Sequence, residues 1–119
     1  MPSTVNTLLE EYVDEVSKIY GEHLKSVILY GSYARGDFMP DSDIDIMILL
    51  DLTDIEIKDF RHQLSRITYD FNEKYDLDIK PIAKSDAHFQ KWLCVYPFYM
   101  NVQKEGVELY GAARCRNTV

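Results

Sequence analysis

The chain has 119 residues, 46% apolar and 28% charged, which is enough for one domain with its own core and too apolar for a disordered chain. Thirteen basic against twenty acidic residues leave a net charge of −7 and a pI near 4.8, a balance that argues against gripping long DNA or RNA but leaves room for a nucleotide masked by a divalent ion. Two cysteines outside any zinc spacing, no basic-then-apolar leader and no apolar run near the ~18 residues of a membrane span exclude a zinc scaffold, a disulfide-rich secreted fold and a spanning helix, so the expected location is the cytoplasm.

Residues 3–20 read as an amphipathic helix, with Val5, Leu8, Leu9, Tyr12, Val13, Val16, Ile19 and Tyr20 on one face. Ser3 is its expected N-cap and Gly21 its expected stop. A strand follows over about Ser26–Tyr30 and a second over about Ile44–Leu50, both rich in β-branched residues. Thr53-Asp54-Ile55-Glu56 is a capping box opening a helix whose apolar positions are Ile57, Phe60, Leu64, Ile67 and Phe71. From Asp76 to Ala83 the period changes to 2, predicting a third strand, and Pro81 assigns it to an edge. Ser85 caps a short helix to about Cys94, Pro97 opens another, Gly106 stops it, and Val107–Tyr110 reads as a last strand. The tail from Gly111 carries no pattern. This order predicts an α+β fold, a small mixed β-sheet backed by helices, in a single domain over residues 1–119.

The chemically loaded stretch lies between the first two strands. Asp43 and Asp45, two apart at a strand entry, point to the same side, with Cα atoms roughly 7 Å apart. Ile44, Ile46 and Ile48 face the other way, into the core. Two carboxylates held this close repel, and oxygen-only ligands favour Mg²⁺ or Mn²⁺. An Asp-x-Asp is also common in surface turns. The upstream residues tip the balance: Gly31 permits close ligand approach, Ser32 adds a hydroxyl beside a backbone N–H, and Ala34-Arg35 opens a helical turn toward the same point. Backbone donors with Arg35 suit phosphate oxygens. A phosphate cradle facing a carboxylate pair is the layout of phosphoryl or nucleotidyl transfer. Asp78, read as mid-strand between Leu77 and Ile79, is the expected third carboxylate, to bind the metal, take a proton from the attacking hydroxyl, or both; Asp76 ranks second.

Gly-Ser-x-Ala-Arg-Gly at 31–36 followed by Ser-Asp-x-Asp at 42–45 resembles the minimal nucleotidyltransferase (MNT) branch of the DNA polymerase β-like superfamily. The resemblance covers about residues 5–83 and the ending Glu105–Tyr110; residues 85–104 carry no mapped motif. It implies a polymerase β-like palm in which Gly31 and Ser32 hold the triphosphate of ATP. Asp43, Asp45 and Asp78 would form the acidic triad, on two Mg²⁺ ions. The reaction implied is attack of an acceptor hydroxyl on the α-phosphorus, with release of pyrophosphate.

Many members of the branch resemble antitoxins that transfer AMP to a tyrosine of a HEPN-domain toxin. The short stretch after the palm fits an acceptor supplied by such a partner, in a hetero-oligomer. Two alternatives stay open: nucleotidylation of a small molecule of the aminoglycoside type, and a silent palm that blocks its partner sterically. The aromatic cluster Phe89, Trp92, Tyr96, Phe98 and Tyr99 reads either as core under the sheet or as a docking surface. His23, His62 and His88 show no metal spacing and read as surface or capping residues.

Overall fold

The computed structural model describes the backbone of residues 3–36 and 42–111, with side chains from residue 7 onward. Helix α1 (Ser3–Tyr20) passes through a 3₁₀ turn (Gly21–His23) into β1 (Leu24–Tyr30), the short helix α2 (Ser32–Arg35) and β2 (Ile44–Leu50). Then come α3 (Asp54–Lys58), α4 (Arg61–Tyr75), β3 (Ile79–Ser85), α5 (Asp86–Trp92), α6 (Pro97–Glu105) and β4 (Val107–Gly111). The strands form one mixed sheet in the order β3-β2-β1-β4. β1 runs antiparallel to β2 and β4, and β2 runs parallel to β3.

The alternation of a strand sends successive residues of β2 into two separate cores. Ile44, Ile46, Ile48 and Leu50 join Val27 and Leu29 of β1 under Leu9, Tyr12 and Val16 of α1 and Leu64 of α4. Met47 and Leu49 point the other way, against Phe89 of α5 and Tyr99 and Val102 of α6. Each buried side chain of this size contributes about 1.5–3 kcal/mol, so both faces hold β2 at the centre. A buried hydrogen bond of 2.7 Å between the Tyr12 hydroxyl and Thr68 Oγ1 ties α1 to α4.

β3 is the expected edge, and its outer rim is blunted over its first residues. The Asn72 carboxamide accepts from the Ile79 N–H (2.9 Å) and donates to the Ile79 carbonyl (3.3 Å), and Pro81 offers no donor. An edge so blunted resists pairing with another chain.

Three expectations need correction. The helix opened by the Thr53 capping box does not run on to Phe71: Asp59 and Phe60 bond back to Glu56 and Ile57, and Leu64 to Phe60 restarts the spiral as α4. The strand read from Asp76 begins at Ile79, because Asp76 is the left-handed cap of α4 (φ 54°), its N–H donating to the Asn72 carbonyl. Gly111 pairs with Ser26 at the end of β4, while the rest of that tail, with Cys115, lies outside the described residues. So do the side chains behind the expected Ser3 cap and Val5 packing.

Candidate active site

Chain reversal at Gly31 builds the site. Gly31 has φ 78° and ψ −156°, a backbone region essentially confined to glycine. A Cβ there would collide with Asp45 Oδ2, so the missing side chain is what lets the carboxylate lie against the turn. The Ala34 and Arg35 amides bond back to the Gly31 carbonyl at 3.1 Å, and Gly36 closes the turn on the Ser32 carbonyl in the left-handed conformation, φ 85°. Tyr33, buried in the core beside α1, anchors the turn from below. The Ser32 hydroxyl and amide therefore stand at the start of a fixed helical turn.

Asp45, the second residue of β2, stands opposite Tyr30 of β1, on the sheet face that α5 and α6 cover. Asp78 ends just before β3, and its carbonyl accepts from the Ile44 N–H at 2.9 Å, the bond that starts the β2–β3 ladder. This places Asp78 beside Asp43, and the hydrogen bond between their side chains raises the Asp43 carboxyl above its usual pKa, with Lys80 acting against the rise. Burial raises Asp45 too, helped by the charge of Asp43 and opposed by Lys80 and Arg35. These are the signs of carboxylates crowded together. Burial and the nearby Asp45 charge push the Tyr30 hydroxyl up to about 12.

Gly31, Ser32, Arg35, Asp43 and Asp45, five of the six expected site residues, line one cleft of about 430 Å³. Asp78 stands at its edge, reaching it through Asp43. Sequence reasoning missed four further residues. Lys80, paired in register with Asp45, puts its Nζ 3.8 Å from Asp43 Oδ2. From α6, Phe98, Asn101 and Glu105 line the opposite wall, and Glu105 Oε1 lies 3.9 Å from Arg35 Nη1. Their signal was present but bland: 98, 101, 102 and 105 follow the i, i+3, i+4, i+7 spacing of one helix face.

Among the described residues, no three His, Cys, Asp or Glu side chains stand close enough to enclose a metal ion by themselves. The carboxylates instead crowd at an open cleft, with the glycine surface against Asp45. That donor set fits Mg²⁺, which binds through one or two carboxylates and completes its shell with phosphate oxygens and water. The site thus sets a glycine turn and the Ser32 hydroxyl beside crowded carboxylates at an open cleft.

The comparisons with known proteins agree. The sequence matches the nucleotidyltransferase domain family over residues 9–96, and the chain belongs to that family. A Methanocaldococcus jannaschii protein, provisionally named a protein adenylyltransferase, is 36% identical over 102 residues, covering 86% of this chain and 94% of the relative. A nucleotidyltransferase-type structure from Sulfolobus solfataricus superposes with a TM-score of 0.62 at 24% identity, covering 92% of this chain and 82% of that one. A chain from the complex of a tri-AMPylated Shewanella oneidensis HEPN toxin with MNT antitoxin superposes at 0.52, with 20% identity and coverage of 95% and 78%. At such identities the two structures establish likeness of fold, and that fold is the one the 31–45 motif implied. Among the described residues no helix is long and apolar enough to cross a membrane.

Proposed function

We propose that this nucleotidyltransferase uses Mg-ATP to transfer AMP to a hydroxyl of a partner protein, a tyrosine of a HEPN-type toxin that it neutralises. The observation that carries the reading is the contact of Gly31 with Asp45: the glycine turn that leads into Ser32 lies directly against the Asp45 carboxylate, as a phosphate cradle beside a cation ligand would. The naming of the Methanocaldococcus relative and the AMPylated toxin in the Shewanella complex support adenylyl as the group and protein as the acceptor.

In this reading Gly31 and Ser32 hold the β- and γ-phosphates and Arg35 balances their charge once it leaves Glu105. Asp43 and Asp45 would hold Mg²⁺, with Asp78 as the third carboxylate. When bound, the ion neutralises triphosphate charge and polarises the α-phosphate. The acceptor oxygen forms a bond to the α-phosphorus, the bond from that phosphorus to the β-bridging oxygen breaks, and pyrophosphate departs. Asp78, beside Asp43, would take the hydroxyl proton. Lys80 keeps the carboxylate cluster from accumulating uncompensated charge.

The test is co-incubation of the chain, labelled ATP, Mg²⁺ and a co-encoded HEPN protein. Label is expected on the partner, reduced about a hundredfold or more by Asp43→Asn. A tight complex that never acquires label would refute transfer and favour steric blocking. Labelled aminoglycoside in place of labelled protein would move the acceptor to a small molecule.

A further inference from the structure

Helix α6 lies outside the motif, yet it forms one whole wall of the cleft. Its position is tightly set: Tyr99 and Val102 are buried on the sheet, and a Cβ at Gly106 would strike the Val102 carbonyl and the Ile28 side chain. With the buried side of the helix so fixed, Phe98 and Asn101 are held at the cleft. Phe98 meets Tyr30 edge-on, with ring centroids 5.6 Å apart and planes at 78°, and remains 43% exposed. Asn101 is exposed, and its carboxamide bonds no described residue.

The cleft therefore has two unlike walls. One is the Gly31–Arg35 turn with its carboxylates; the other, on α6, carries the Phe98 ring and the Asn101 carboxamide, with Glu105 at its far end reaching across to Arg35. A nucleoside triphosphate is likewise two-ended, anionic at one end and aromatic at the other. We propose that α6 reads the base of the donor nucleotide, with Phe98 as its stacking platform and Asn101 as the residue that selects adenine. A carboxamide presents one acceptor and one donor side by side, matching the amino group and adjacent ring nitrogen of adenine. Guanine presents two acceptors along the corresponding edge and leaves the Asn101 oxygen without a donor. Stacking on Phe98 tolerates any base, so selection rests on Asn101 and general affinity on Phe98. This assignment rests on the donor-site reading above and adds to it the residues that choose the base.

Calorimetric titration of the full chain with ATP and with GTP, each with Mg²⁺, tests it. The unaltered chain is expected to bind ATP about tenfold more tightly than GTP. Asn101→Leu should bring ATP down to the level of GTP and leave GTP unchanged. Phe98→Ala should weaken both about tenfold, and Phe98→Trp should restore them, which a merely structural role at this exposed position would not require. Equal affinities in the unaltered chain, or an ATP/GTP ratio untouched by Asn101→Leu, would overturn the assignment. If ATP binding is lost with Asp45→Asn but indifferent to both α6 changes, the donor site stands and the role of α6 falls. If the unaltered chain binds neither nucleotide, both fall together.

Discussion

The two faces of the sheet are made from the same strands and do different work. On the α1/α4 face, Ile44, Ile46, Ile48 and Leu50 run apolar from end to end and are sealed. On the α5/α6 face, the same strand reads Asp45, Met47, Leu49: apolar where helices cover it, charged where the cover opens into the cleft. A one-residue step along β2 thus separates stability from chemistry. Substitutions on the sealed face should change folding and spare the site, and those at the open end should do the reverse.

The largest expected effect is on the sealed face. Ile46→Ala removes a fully buried side chain at the sheet centre and should cost about 2–5 kcal/mol in denaturant unfolding, with transfer activity kept by the molecules that remain folded. Asp45→Asn is the mirror experiment. Label transfer should fall about a hundredfold or more, while the melting temperature should not fall, because crowding among Asp43, Asp45 and Asp78 is relieved. A large loss of stability in that variant would break the separation of the two faces. Gly31→Ala should reduce transfer at least about tenfold at a folding cost of about 1–3 kcal/mol, since it forces a Cβ into Asp45 and a non-glycine residue into this backbone region. Circular dichroism beside activity separates the two losses.

The smallest effect lies outside the cleft lining, at the capping box of α3. Glu56 Oε1 accepts from the Thr53 N–H at 2.9 Å, which holds its carboxyl below the usual value of 4.5. A depressed carboxylate contributes stability above its unfolded pKa and loses that contribution as pH falls through the lower folded value. Glu56→Gln should therefore lower the unfolding midpoint slightly near neutral pH, and the difference should vanish in acid. Thr53→Ala should cost about 1 kcal/mol, with transfer unaffected in either variant.

Local signals made much of this visible in the sequence. The bounds of α1, the register of Ile44, Ile46 and Ile48 into the core, the Thr53 capping box and the Pro97 helix start all come from patterns a few residues long. The break between α3 and α4 was hidden because Ile57, Phe60, Leu64, Ile67 and Phe71 keep an unbroken helical spacing across it. Asp76 and Asp78 alternated with apolar residues and read as strand. The start of β3 is instead set by pairing of Ile79 with Ile44 and by the Asn72 side chain, contacts no local pattern contains. For the same reason the motif disclosed one wall of the cleft only. Lys80 and the α6 residues join it through the sheet register and helix packing. Of the aromatic cluster, Phe89 and Tyr99 are core, as one of the two readings expected, whereas Tyr96 and Phe98 are exposed.

The chemistry of the open end is tested most directly by the fate of the three phosphates. Parallel reactions with ATP labelled at the α- or the γ-phosphorus, each with Mg²⁺ and the partner protein, separate nucleotidyl from phosphoryl transfer. Label from the α-position should appear on the partner and label from the γ-position in pyrophosphate, both lost with Asp45→Asn. Transfer of the γ-label to the partner, or α-label transfer that survives Asp45→Asn, would contradict a nucleotidyl-transfer site at the Gly31–Asp45 turn.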